Sequence, residues 1–259
     1  MHPRTYRNYF SLRTLKVCVV LIACASPILA STTDTVVVRQ NVSPSDREEL
    51  AQRLRTITGW TSLSFNSDGA LTIGDLSLHG GSKGARDLLS KALSGKRVIL
   101  FEDARSRKDV VFCRVVSGKL DRIPTAEVHV VLIDFADFRQ VTGDKQARAA
   151  FDVGWAVLHE IDHVVEDSED PKDDIPGDCE AHLNRMRREL GLPIRNSYFF
   201  SYLPVKNLGN VISRFVRLGF EDESDPTSKK KRYWLVWDAA LVGGVSSGAE
   251  SARASFDIF

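Results

Sequence analysis

Two histidines four residues apart bracket a glutamate in the run His159-Glu160-Ile161-Asp162-His163. On a helix, residues at i and i+4 project from one face. Both imidazoles can then reach a single Zn²⁺ at about 2.0–2.1 Å. Glu160 lies next to that face, where its carboxylate can meet a metal-bound water without ligating the ion. This is the arrangement for metal-assisted hydrolysis. Five residues with three fixed positions also arise by chance as two surface histidines, so the pattern needs support from its surroundings.

A third ligand is expected on the next helix. Glu180, in Glu180-Ala181-His182-Leu183-Asn184, follows His163 after sixteen intervening residues. That length lets one helix end, a loop turn and a second helix return a carboxylate. Two histidines, a glutamate and a water form a common catalytic zinc set. Glu166, Asp170, Asp174 and Asp178 are competing acids, and His182 is a nitrogen alternative. Asp178 and His182 each lie about 200° round a helix from Glu180, so only one of the three can be the ligand.

The His159-Glu160-x-x-His163 run with a downstream glutamate resembles the gluzincin branch of the zincin metallopeptidases. The stretch Asn184-Arg185-Met186-Arg187-Arg188-Glu189-Leu190-Gly191-Leu192-Pro193-Ile194-Arg195, with Tyr198, is more specific. It resembles bacterial metallopeptidase-like domains of toxin-tip and stand-alone exported proteins, which carry N-x-x-R-x-E-x-G-L-P-x-R-x-x-Y after the motif helix. The resemblance covers about residues 127–202. It implies zinc ligands His159, His163 and Glu180, with Glu160 as base. Thermolysin-type gluzincins place an acid where Asn184 stands, so the support behind a ligand histidine departs from that pattern.

The chemistry follows from the ligand count. Three protein ligands leave one position open, where water is acidified toward pH ~7 and a carbonyl is polarised. Glu160 takes the water's proton and passes it to the leaving amine. The developing oxyanion needs a further donor, for which Tyr198, Tyr202 and His182 are candidates. The run Val128–Ile133 precedes the motif helix as a substrate-lining edge strand does in zincins, and would take a peptide by strand addition.

Elements to position these groups can be read along the chain. A strand is expected at Thr35–Val38, then a helix opened by Ser43-Pro44 and running to about Ile57. A hairpin is expected around Asn66-Ser67-Asp68-Gly69, and a helix over about Lys83–Leu93 closed by Gly95. Strand-like runs follow at Arg97–Phe101, Val110–Val116 and Val128–Phe135. One helix is expected over about Lys145–Asp167, and another over about Gly177–Leu190 stopped by Gly191-Leu192-Pro193. Val211–Leu218 reads as helix or strand, and Tyr233–Val242 as a core segment. The expected fold is α+β and zincin-like, with a small mixed sheet packed on the motif helix and a second ligand-bearing helix.

Composition sets the outer limits. The 259 residues are 43% hydrophobic and 27% charged, enough for a packed core and too apolar for a disordered chain. A net charge of +1 gives no global case for nucleic-acid binding. The basic run Lys229-Lys230-Lys231-Arg232 reads as a solvated loop. The acid-rich segment 166–180 lacks the calcium-loop pattern.

The first thirty residues read as an export signal. Arg4, Arg7, Arg13 and Lys16 precede an apolar run from Val17 to Ala30, too short to span a bilayer comfortably. They hold four of the 35 bases and none of the 34 acids, so the remainder carries a net charge of −3. Ala23-Cys24-Ala25 and Ile28-Leu29-Ala30 are alternative cleavage sites. Leu21-Ile22-Ala23-Cys24 resembles a lipobox, which would acylate Cys24 and anchor the chain to a membrane. Outside the signal, Cys113 and Cys179 could form one disulfide or remain two buried thiols.

The expected organisation is a signal at 1–30, an N-terminal α+β lobe at 31–95, a metallopeptidase-like region at 96–245 and a loose tail at 246–259. The expected function is an exported zinc-dependent hydrolase acting on a peptide or protein. The alternative is a non-catalytic exported protein whose zinc only staples two helices.

Overall fold

The structure is a computed structural model. It describes residues 35–75, 77–105, 107–119, 126–171, 174–204, 212–223 and 230–242. The expected export signal at residues 1–30, with Cys24, and the expected tail from residue 246 lie outside these residues. Among the described residues, no helix is long and apolar enough to cross a membrane.

The chain runs β1 (Val36–Val38), α1 (Pro44–Thr58), β2 (Leu63–Phe65), β3 (Leu71–Ile73), α2 (Lys83–Ser94), β4 (Val98–Asp103), β5 (Cys113–Gly118) and β6 (Val128–Ile133). It continues α3 (Phe135–Gln140), β7 (Thr142–Gly143), α4 (Lys145–Ala150), α5 (Val153–Glu166), α6 (Asp178–Glu189), β8 (Ile194–Arg195), β9 (Ser201–Pro204), β10 (Ile212–Glu221) and β11 (Arg232–Asp238). The class is mixed α+β, with several sheets.

Local chemistry sets the element ends. Ser43 caps α1 by accepting from the Asp46 amide, Pro44 opens the helix, and Gly59 closes it at φ 79°. Ser82 caps α2 through the Ala85 amide. The β2–β3 hairpin turns through Gly69 at φ 84°, where an added Cβ would meet the Val38 carbonyl oxygen at 2.5 Å.

The main sheet has the order β1-β4-β6-β5, with β5 antiparallel to its neighbour and the others parallel. This corrects one expectation. Val128–Ile133 is an inner strand, held on both sides, as its nearly continuous apolar sequence suits. Among the described residues the edges are β1 and β5. Residues 35–95 are likewise no lobe of their own. β1 pairs with β4 in the main sheet, and α1 and α2 pack on α5. The described residues from Thr35 onward fall in one compact unit.

The helix expected over Lys145–Asp167 is broken into α4 and α5. Asp152 makes the break by turning its carboxylate onto the amides of Gly154 and Trp155, which caps α5. The rest of α5 is buried on nearly every side, including Trp155, Val157, Leu158 and Ile161. That explains its irregular apolar spacing. β10 resolves the ambiguous 211–218 run as strand. It joins β7, β8, β9 and β11 in a second sheet, which packs Phe220, Leu235 and Trp237 against Phe112 and Phe151. In the basic run, Arg232 and Lys230 both pair with Glu221.

Candidate metal centre

Helix α5 brings His159 and His163 together with ring centroids 4.7 Å apart and planes at 86°. Their Nε2 atoms lie 3.1 Å from each other. The chain then reverses at once. Asp167, in the left-handed region at φ 52°, ends α5. The His163 Nδ1 donates to the Ser168 carbonyl at 2.8 Å, and the Ser168 hydroxyl donates to Asp162 at 2.8 Å. This pinned turn carries Asp170 back over the histidine pair. Its Oδ1 lies 3.2 Å from both Nε2 atoms.

The expected third ligand, Glu180, stands away from these Nε2 atoms. Glu180 opens α6 as expected and is completely buried, but it faces the other ring nitrogen. Its Oε2 is 3.9 Å from the His159 Nδ1. Arg187 and Arg195 hold its two oxygens, the latter at 3.0 Å. Burial alone would raise the Glu180 carboxyl. The two guanidiniums outweigh it and pull the pKa down to about 2. Each oxygen of this carboxylate already accepts from one guanidinium.

The other candidates are also accounted for. His182 pairs with the buried Asp162, its Nδ1 3.0 Å from Oδ2, on another flank of α5. Glu166 binds Lys91, and the Asp174 carboxylate accepts the Phe199 amide. Asp178 is exposed at the start of α6. Tyr202 is also exposed, on β9.

His159, His163 and Cys179 together could hold a metal ion, their ligand atoms all lying within 4.8 Å of one another. Cys179 is not a disulfide partner, since both it and Cys113 are free and buried. Its Sγ meets the His159 Nδ1 at 3.2 Å. Burial first, and then the surrounding carboxylates, push its thiol well above the usual range.

The cluster favours positive charge. Burial disfavours a charged His163, but the Asp170 bond, the Glu160 charge and the Ser168 carbonyl raise its pKa to about 9. Burial likewise opposes ionisation of Asp170, and the two imidazoles overcome it and hold the carboxyl far below its ordinary range. A divalent cation would compete for the same place with the proton.

Glu160 is 2% exposed. Its Oε2 accepts the Val115 amide of edge strand β5 at 2.8 Å. Its Oε1 has no partner among the described residues. Burial raises its pKa, against the pull of His159 and His163. A buried carboxylate oxygen without a donor is costly and calls for an explanation. Tyr198 is buried near His159, ring centroids 6.5 Å apart, and its hydroxyl bonds to Asp170. Burial and the Asp170 charge raise that phenol above its usual range.

Sequence reasoning missed the scaffold behind these groups. Glu180, Asn184 and Arg187 fall at i, i+4 and i+7, one face of α6. Asn184 holds the Arg195 backbone by both amide and carbonyl, at 2.9 and 2.7 Å, and accepts from Arg187 at 2.8 Å. The Arg195 guanidinium lies 4.7 Å from the Tyr198 ring centroid. Asn184, Arg187 and Arg195 thus form one buried network with Glu180. The spacing of 180, 184 and 187 was the available signal. No family model, curated protein or solved structure matches this chain.

Proposed function

We propose that this chain is a zinc-dependent hydrolase, a metallopeptidase by best reading, with His159, His163 and Asp170 as ligands and Glu160 as base. One observation carries the proposal. The two Nε2 atoms and the Asp170 Oδ1 form a triangle with sides of 3.1, 3.2 and 3.2 Å. Tetrahedral ligands bound at 2.0–2.1 Å stand about 3.3 Å apart, so these atoms already have the spacing of one tetrahedron face. Two imidazoles and a carboxylate suit zinc, with a position left for water.

When bound, the ion supplies a Lewis acid and lowers the pKa of a water. The protein's own groups do the rest. Glu160 accepts the water's proton at Oε1, and the Val115 amide holds Oε2 in place. Burial keeps that carboxylate basic enough to accept a proton and poised to return it to a leaving amine. Tyr198, resting on Asp170, is the nearest candidate donor for an oxyanion. The edge of β5, which among the described residues pairs with no strand beyond β6, runs beside Glu160 and would offer its remaining backbone groups to an extended peptide.

The pairing of an edge strand with a motif helix supports a zincin-like reading. The ligand set departs from the gluzincin pattern, because Asp170 lies seven residues after His163 and Glu180 is withdrawn into an arginine clamp. The basic and apolar N-terminus supports export, by cleavage or by acylation at Cys24. A second reading, a structural zinc, rests on Cys179, which would complete a four-ligand set.

The experiment is a pair of assays on residues 31–259. Wild type should bind zinc and cleave peptides, and Glu160→Gln should keep zinc and lose cleavage. Undiminished cleavage by Glu160→Gln would overturn the mechanism.

A further inference from the structure

Cys179 sits within reach of the histidine pair, and its role turns on which atom of His159 it touches. The contact is with Nδ1, at 3.2 Å. The other ring nitrogen, Nε2, is the one that meets Asp170 and His163. An ion held at Nε2 stands at the opposite ring nitrogen from the one the sulfur meets. The thiol hydrogen has its own acceptor, the His159 carbonyl, at 3.5 Å. The sulfur lone pairs are therefore left for Nδ1–H. Glu180 Oε2 lies beyond, 3.9 Å from the same nitrogen, and Arg187 and Arg195 keep it charged and still.

We infer that Cys179 is a positioning residue for His159 and not a ligand: its sulfur accepts Nδ1–H, fixing the tautomer that presents Nε2 outward, with the locked Glu180 charge behind it. The inference rests on the metal reading above. Metal-bound histidines usually donate their second N–H to a carboxylate, a backbone carbonyl or water, and losing that partner costs about 10–100-fold in affinity. Here a weak acceptor fills the place. α6 thus supports the first ligand from behind, while the loop after α5 supplies the third.

The test uses Co²⁺ as a spectroscopic stand-in for zinc, with Cys179→Ala and Cys179→Ser. A serine hydroxyl can accept from Nδ1–H and donate to the His159 carbonyl, as the thiol does. The wild-type Co²⁺ complex should lack a thiolate-to-cobalt charge-transfer band. Cys179→Ala should bind zinc about 10–100-fold more weakly in a chelator competition, and Cys179→Ser should recover most of that loss. A charge-transfer band in the wild type would overturn the inference and leave the metal site standing, with sulfur as a ligand. Equal affinity of wild type and Cys179→Ala would also overturn it, as would equal weakening in both variants. Failure of the wild type to take up Co²⁺ or Zn²⁺ at all would overturn the metal reading, and this inference with it. Should Cys179→Ala not fold, the wild-type spectrum and the Cys179→Ser affinity still decide.

Discussion

Replacing Glu180 separates a structural carboxylate from a metal ligand. In Glu180→Ala, Arg187 at 1% exposure and Arg195 at 4% keep their charges and lose their shared partner. Breaking a buried ion pair from one side costs about 3–5 kcal/mol. The pKa gives a second estimate. A carboxyl lowered from 4.5 to about 2 contributes roughly 3 kcal/mol above the unfolded value, at about 1.36 kcal/mol per unit. Because the folded pKa is the lower one, that stability is present above pH ~4.5 and drains away as pH falls toward about 2. For a chain of this size, the variant should melt roughly 10 °C below wild type. The assay is thermal and urea unfolding by circular dichroism, on metal-free protein, at pH 7 and at pH values between 4.5 and 2. Wild type should weaken across that acid window, and Glu180→Ala should weaken less. A metal-free variant as stable as wild type at pH 7 would refute the clamp and return Glu180 to the list of ligands.

Other consequences follow from the same geometry. Glu160→Gln should stabilise the metal-free protein by about 1 kcal/mol, because a neutral amide removes a buried charge with an unpartnered oxygen. The sign follows from the raised pKa: wild-type stability falls as pH climbs past the unfolded carboxyl value, and the variant should lack that fall in urea titrations. Tyr198→Phe should keep zinc and lower kcat more than KM if its hydroxyl serves the oxyanion, and unchanged turnover would remove it from the mechanism. Asn184→Ala should cost about 1–3 kcal/mol in urea unfolding, since it strips partners from the buried Arg195 backbone and from Arg187.

Much of this fold was legible because its signals are local. Ser43-Pro44, the Asp68-Gly69 turn and Gly191-Leu192-Pro193 mark their boundaries within a few residues. The His159–His163 pair needed only helical spacing. The proposed third ligand is harder to read. Spacing and resemblance point to Glu180 on a second helix, while the reversal after α5 turns on Asp167 at φ 52°, where no glycine marks it. Asp170 therefore stayed one acid among several. The arginine clamp is set by Arg195, fifteen residues beyond Glu180, and only folding brings them together. The strand order of the main sheet is equally non-local, so nothing in the Val128–Ile133 sequence shows that β5 lies outside it.

Zinc retained per chain, measured after dialysis of residues 31–259 against a weak chelator, tests the ligand set most directly. Wild type should hold about one equivalent, as three protein ligands and a water imply. Asp170→Ala should lose most of it, as His163→Ala should, while keeping its far-ultraviolet circular dichroism. Asp178→Ala, altered at an exposed position on α6, should match wild type. An Asp170→Ala protein that holds zinc as tightly as wild type would contradict the account.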